Sequence, residues 1–318
     1  MEYRRLGNSG LKVSAVGLGG NTFGRYVDEA GTARIIHHAL DVGINFFDTA
    51  DTYSNGVSEE YVGKALRDRR ERGLIATKLA MKMGEGPNDR GLSRHHVLGG
   101  VDANLRRLGT DYIDLLQVHA WDPETPLEET MRALDDVVRA GKVRYIGCSN
   151  FSAWQLTQAL WVSDKRGYAP FVSVQPRYSL LDRAIERELL PACRAFGIGI
   201  VPYSPLAGGL LTGKYRGGAR PEGARGTEQA ASGFFERQLA GKDEGVIDRL
   251  AEWAEARGHQ LGELAVAWLL GHPEVSTVIA GVTRPEQVDE NAGAAGWTLT
   301  PEEVEEIGRL VELGGAAR

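Results

Sequence analysis

Four residues of this 318-residue chain, Asp48, Tyr53, Lys78 and His119, carry the side chains needed to deliver a proton to a carbonyl oxygen. A tyrosine, with an ordinary pKa of about 10, is a poor acid or base near neutrality unless something stabilises its phenolate. A lysine ammonium beside the phenol favours the ionised form, and an aspartate beside the lysine keeps that lysine charged and in place. A histidine close by donates to the carbonyl oxygen. Together they describe a relay that protonates the oxygen while something else attacks the carbon. No nucleophilic serine, cysteine or metal is required.

The elements that must position these groups follow from periodicity. Short β-branched runs alternate eight times with longer stretches of helical period. The predicted strands are 15–19, 44–49, 74–78, 113–119, 143–148, 172–175, 198–203 and 277–280. The helices after them are 30–42, 58–70, 93–108, 126–140, 153–166, 185–196, 245–257 and 284–294. A hairpin of 3–6 against 12–14, turned by Asn8-Ser9-Gly10, precedes the first unit, and two helices, 261–271 and 301–311, lie outside the count. Alternating β and α units imply a parallel sheet covered by helices, and eight of them predict an α/β fold of the closed (β/α)8 TIM-barrel type. Gly43, Gly73, Gly109, Gly141, Gly197 and Gly258 near helix ends are expected as left-handed caps. No Ser/Pro-rich linker or charge block divides the chain, so 1–318 is expected to be a single barrel domain.

In such a barrel the chemistry gathers at the C-terminal ends of the strands. Those ends carry Gly20-Asn21-Thr22, Asp48 with Tyr53, Lys78, His119, Ser149-Asn150, Gln175, Tyr203-Ser204 and Gly281 to Arg284. One polar strand end facing water is ordinary. All of them converging on one rim describe a site.

Over essentially its whole length the chain resembles the aldo-keto reductases. The resemblance is carried by Phe46-Phe47-Asp48-Thr49-Ala50-Asp51-Thr52-Tyr53, Ala76-Thr77-Lys78, Leu115-Leu116-Gln117-Val118-His119 and Ile146-Gly147-Cys148-Ser149-Asn150-Phe151. It continues in Tyr203-Ser204-Pro205-Leu206 and Gly281-Val282-Thr283-Arg284-Pro285-Glu286-Gln287, in the right order and spacing. Leu6-Gly7 and Asn88-Asp89-Arg90-Gly91-Leu92-Ser93 are similar in style to the bacterial members and the relatives of potassium-channel β subunits. The resemblance implies Tyr53 as general acid for carbonyl reduction, Lys78 and Asp48 tuning it, and His119 orienting a small carbonyl substrate, with hydride from a nicotinamide across the barrel mouth. It further implies Ser149, Asn150 and Gln175 on the carboxamide, Tyr203 stacked on the ring, and 204–210, including Pro205, Leu206, Gly208 and Leu210, over the pyrophosphate with Lys214. Gly20, Asn21, Thr22, Asp48, Gly281 and Gln287 complete the cofactor set, and Glu290 with Asn291 would reach the adenine. Thr283 and Arg284 at a helix start suit a 2′-phosphate, which favours NADPH/NADP+ over NADH. A redox-sensing protein of the channel β-subunit type is the competing expectation.

Other readings fall away. Hydrophobic residues at 42% and charged residues at 25% exclude a disordered or fibrous chain. The longest apolar stretch, 264–270, is far short of the roughly 20 residues of a membrane span, and no apolar run follows the basic start, so a soluble cytoplasmic protein is expected. A net charge of −6 offers no basic stripe for nucleic acid. Gly208 to Tyr215 nearly matches a triphosphate-binding loop, but Tyr215 stands where a Mg²⁺-binding Ser or Thr is needed. Gly17-Leu18-Gly19 lacks the third glycine of a dinucleotide fingerprint, because Thr22 stands there. His37-His38 and His95-His96 point about 100° apart on helices, so metal ligation is not expected. Cys148 and Cys193 are read as packing residues. Trp121 is expected in the substrate-pocket wall, and Phe234 and Phe235 are weighed for the same role.

Overall fold

A computed structural model describes residues 1–216 and 245–312, so Phe234 and Phe235 lie outside the described residues. Strands β1 (Tyr3–Arg5) and β2 (Lys12–Ser14) pair antiparallel, with Arg4 opposite Val13. The remaining strands form one parallel sheet: β3 (Val16–Gly19), β4 (Phe46–Asp48), β5 (Leu74–Leu79), β6 (Ile113–Val118), β7 (Val143–Ser149), β8 (Phe171–Gln175), β9 (Gly199–Ile200) and β10 (Val278–Gly281). They follow one another in chain order, and β10 returns to pair with β3. The sheet closes between β9 and β10 through three backbone bonds: Ile200 N–H to Glu274 O at 2.7 Å, Ser276 N–H to Ile200 O at 2.9 Å, and Ile279 N–H to Pro202 O at 3.0 Å. The result is the expected (β/α)8 barrel behind an N-terminal hairpin.

Helices α1 (Glu29–Asp41), α2 (Val57–Leu66), α3 (Arg94–Leu108), α4 (Leu127–Arg139), α5 (Ala153–Arg166), α6 (Leu189–Phe196), α7 (Val246–Glu255) and α9 (Glu286–Ala294) follow successive strands. The two additional helices are α8 (Leu261–Leu270) and α10 (Pro301–Glu312). Among the described residues no helix is long and apolar enough to cross a membrane. Side chains supply the starts of α1 and α3, where Asp28 and Ser93 accept from the N–H groups of Gly31 and His96.

Several expected boundaries move for local reasons. The seventh strand, expected over 198–203, is regular only at Gly199–Ile200, because Pro202 has no N–H to give a ladder. The helix expected over 185–196 divides into a 3₁₀ turn at Ala184–Arg187 and α6, which places Pro191 in a first turn, where it is tolerated. The second strand begins at Phe46 rather than residue 44, since the Asn45 side chain is occupied with the hairpin, accepting from Ser14 N–H and donating to Lys12 O. Gly73 is extended (φ −115°), unlike the other glycines expected as left-handed caps.

Strand alternation divides the barrel interior into an apolar floor and a polar layer above it. The floor is Phe46, Ala76, Leu115, Val201 and Ile279, plugged from below by Leu6 and Val13 of the hairpin. Two residues further along the same strands stand Asp48, Lys78 and Gln117, all on the inward face, with Gln175 ending β8 at that level. A Cβ on Gly147 of β7 would lie 2.6 Å from Ser173 Oγ and 3.5 Å from Gln117 Cγ, so only glycine leaves room for that layer.

Candidate active site

The polar layer centres on a buried ion pair. Lys78 is fully buried and Asp48 is 3% exposed. Lys78 Nζ donates to both Asp48 oxygens at 2.8 and 2.7 Å, to Thr49 O at 2.9 Å and to the Tyr53 hydroxyl at 3.2 Å. Gln175 Nε2 donates to Asp48 Oδ1 at 2.8 Å, and Gln117 Nε2 approaches the same oxygen at 3.3 Å. Burial opposes the charge on Lys78, yet Asp48 and Tyr53 carry its pKa above the ordinary lysine value. Lys78 is therefore charged, and its ammonium is met by hydrogen-bond acceptors, as a buried charge requires.

Tyr53 departs from the expectation. Its burial raises the phenol pKa, the Lys78 ammonium lowers it and Asp48 raises it again, leaving the value above the ordinary 10. The lysine only partly offsets desolvation, so near neutrality Tyr53 is a neutral phenol that keeps its proton to give. The turn that aims it is unusual: Ser54, Asn55 and Gly56 have φ of 50°, 55° and 92°, three successive left-handed residues. Two of them are not glycine, at a cost of about 1–3 kcal/mol each. The Ser54 hydroxyl pins the turn by donating to Phe23 O at 2.7 Å.

His119 meets Tyr53 edge to face, with ring centroids 6.0 Å apart. Burial, with the Lys78 charge behind it, pushes its pKa down to about 3, so the imidazole is neutral at any working pH. Among the described residues its Nδ1 is buried with no hydrogen-bond partner. A proton there would be an orphaned donor, which places the single N–H on Nε2.

Tyr53 and His119 open onto a cavity of about 800 Å³ at the C-terminal face of the barrel, which runs past Tyr203 and Gly208 to Lys214 and Arg284. Most residues named for the cofactor line it, including Asn21, Thr22, Ser149, Asn150, Gln175, Ser204, Pro205, Leu206, Gly281, Thr283 and Gln287. Gly20, Leu210, Glu290 and Asn291 do not, and neither does Lys78 of the relay. Gly20 is buried, with its carbonyl accepting from Ser58, and Leu210 and Asn291 are turned into the interior. Glu290 lies exposed beyond the cavity. Trp121 also stays off the cavity, packing edge-on against Phe151 and Trp154. Gln175 gives its amide N–H to Asp48, and the N–H and hydroxyl of Thr283 both go to Gln287 Oε1. Arg284 is 58% exposed and stands 3.7 Å from Glu286, too far for a hydrogen bond.

Sequence reasoning missed Tyr26 on the cavity wall and Gln117 beside Asp48. It also missed a buried carboxylate pair behind Lys78. Burial and the neighbouring Glu59 raise Asp51 to about 7, against the opposing pull of Thr52 N–H, Arg107 and Lys78. Between its ordinary 3.8 and that value the folded protein holds a proton that the unfolded chain releases, so stability falls as pH rises through this range. Asp51→Asn has nothing to titrate there. Its stability relative to the unmodified protein should grow by about 2–3 kcal/mol between pH 5 and pH 8 in urea unfolding. An advantage that does not change with pH would show that Asp51 stays ionised.

Comparison with known proteins bears on this arrangement. The family model described as Aldo/keto reductase family matches residues 15–312. The chain is 40% identical to a "Probable voltage-gated potassium channel subunit beta" of Arabidopsis thaliana, over 98% of this chain and 97% of that protein. It is 39% identical to versiconal hemiacetal acetate reductase of Aspergillus parasiticus, over 96% and 95% respectively. To aldo-keto reductase AMT2 of Alternaria alternata it is 36% identical, over 95% and 89%.

Proposed function

The chain belongs to the aldo/keto reductase family, and from that premise we propose that it reduces an aldehyde or ketone to the alcohol, with NADPH as hydride donor and Tyr53 as proton donor. The observation that carries this reading is the Lys78 ammonium, paired with Asp48 and 3.2 Å from the Tyr53 hydroxyl at the end of a long cavity. The donor set along that cavity fits a nicotinamide dinucleotide. Ser149 and Asn150 stand near the relay, an aromatic face is offered by Tyr203, and the cations Lys214 and Arg284 lie at the far end. When bound, the reduced nicotinamide supplies hydride to the carbonyl carbon.

The chain's own residues handle the oxygen. His119 Nε2–H donates to the carbonyl and fixes its direction. Tyr53 passes its proton to the oxygen as negative charge develops there, so one C–H and one O–H bond form. The phenolate left behind is met at once by the Lys78 ammonium, which Asp48 holds charged. We take residues 1–318 as one domain and place the activity in a reducing, cytoplasmic setting, a reading supported by buried, unpaired Cys148 and Cys193.

NADPH consumption followed by absorbance with a panel of aldehydes and sugars tests the proposal. Similarity to a channel β subunit favours a second reading, in which the same site senses redox state for a partner. Multiple turnovers support the reductase, whereas a single turnover with tightly held cofactor supports the sensor.

Cofactor choice gives a further expected outcome. The 2′-phosphate must be met by cations, and among the described residues the carboxylate nearest Arg284, that of Glu286 at 3.7 Å, is beyond hydrogen-bond reach. Hydrogen bonds to charged groups contribute roughly 1.5–3 kcal/mol, so Arg284→Ala should weaken NADPH by about ten- to a hundredfold and leave NADH nearly unchanged. Equal losses for the two cofactors in a fluorescence titration would remove Arg284 from phosphate recognition.

A further inference from the structure

Behind the relay, on the side away from the cavity, one arginine touches both segments that carry it. Arg107, near the end of α3, donates through Nε to Glu59 Oε2 at 2.5 Å and through Nη2 to Asn104 Oδ1 at 2.6 Å. Asn104 Nδ2 in turn donates to the backbone oxygen of Lys78 at 3.3 Å, and the other Glu59 oxygen accepts from Thr77 at 2.5 Å. Two adjacent residues of β5, Thr77 and Lys78, are thus held by one guanidinium through two intermediaries. The same side chain lies against the Tyr53 turn. A Cβ on Gly56 would fall 2.6 Å from Arg107 Cδ and 3.0 Å from its Nε, and with φ at +92° only glycine lets the turn close over the arginine stem. The backbone N–H of Asp51 also reaches Lys78 O, at 3.2 Å, which joins the Tyr53 loop to the strand at the atom Asn104 holds.

We propose that Arg107 is a positioning residue that sets the Tyr53–Lys78 contact by bracing the left-handed turn of one against the strand of the other. Glu59, fully buried on α2, is the anchor, because an unpaired carboxylate there would be costly, so the guanidinium has one stable place. The 3.2 Å between Nζ and the phenol oxygen is the quantity the brace controls. That contact stabilises the phenolate only at short range. Arg107 itself never meets substrate. Its catalytic weight rests on the reading of Tyr53 as proton donor, whereas the brace itself can be measured without that reading.

The experiment is Arg107→Met beside Arg107→Lys and Asn104→Ala, each assayed for carbonyl reduction and each crystallised. A misplacement of about 1 Å at reacting groups costs on the order of 10²-fold. Arg107→Met should accordingly lower kcat by about ten- to a hundredfold, with KM and NADPH affinity within about twofold of the unmodified protein. Its crystal structure should have the Nζ to phenol distance beyond hydrogen-bond reach. Arg107→Lys keeps the charge facing Glu59 but not the second bond to Asn104, and should recover part of kcat. Asn104→Ala cuts only the path to Lys78 O and should fall between the two. If Arg107→Met does not fold, the other two variants decide. Unchanged kcat with an unchanged contact distance, in Arg107→Met or in both milder variants, overturns the proposal. Were the unmodified protein to reduce no carbonyl compound, the function would fall and the crystallographic distance would still test the brace.

Discussion

Tyr53→Phe is expected to lower kcat for carbonyl reduction by about 10²- to 10⁴-fold, the usual worth of a positioned general acid, with NADPH affinity unchanged. The substitution removes one oxygen. Lys78 keeps its bonds to Asp48 and Thr49 O, so the ion pair and the barrel should survive it. The raised phenol pKa adds a second expectation. Since Tyr53 holds its proton throughout the neutral range, reduction by the unmodified protein should not rise toward acidic pH through this group, and its loss belongs to the alkaline limb. Measurement of kcat by NADPH absorbance and of cofactor affinity by fluorescence checks both. A phenylalanine variant that retains most of its turnover would remove Tyr53 from proton delivery.

Lys78→Met should damage two properties at once, and a double variant separates them. Without the ammonium, the Asp48 carboxyl is left 3% exposed, with the amide groups of Gln117 and Gln175 still donating to it. Breaking a buried pair from one side costs about 3–5 kcal/mol. Turnover should fall at least as far as in Tyr53→Phe, because the phenolate then has no counter-charge. Adding Asp48→Asn removes the stranded charge, so Lys78→Met/Asp48→Asn should regain most of the stability and none of the activity. Urea unfolding and turnover of the two single variants and the double variant give the answer. Recovery of activity in the double variant would mean that Lys78 serves the fold alone.

The relay was legible because its members close or follow apolar runs, where a barrel presents side chains to its mouth. Asp48, Tyr53 and His119 could be brought to one rim from strand order alone, with Lys78 just beneath it. What escaped notice has physical reasons. Gln117 sits inside an apolar run, and nothing in strand alternation says that the inward face turns polar one step above Leu115. The Asp51, Glu59 and Arg107 cluster joins a loop to two helices, and its arginine is 48 residues from the glutamate it meets. The Tyr53 shift runs opposite to the expectation because charges can be listed from sequence whereas desolvation cannot. Trp121 differs from the expectation of cavity wall because its partner Trp154 reaches it only once α5 is in place.

The hairpin plug also gives the molecule a front and a back. Leu6 and Val13 stop the end of the barrel opposite the cavity, and Met1, against Gly43 where α1 leads into β4, is 39% exposed. A tether or fusion partner joined ahead of Met1 would therefore leave from the closed end. Attached to a support by that route, the protein would present its open mouth to the medium, with the full depth of the barrel between the anchor and the relay.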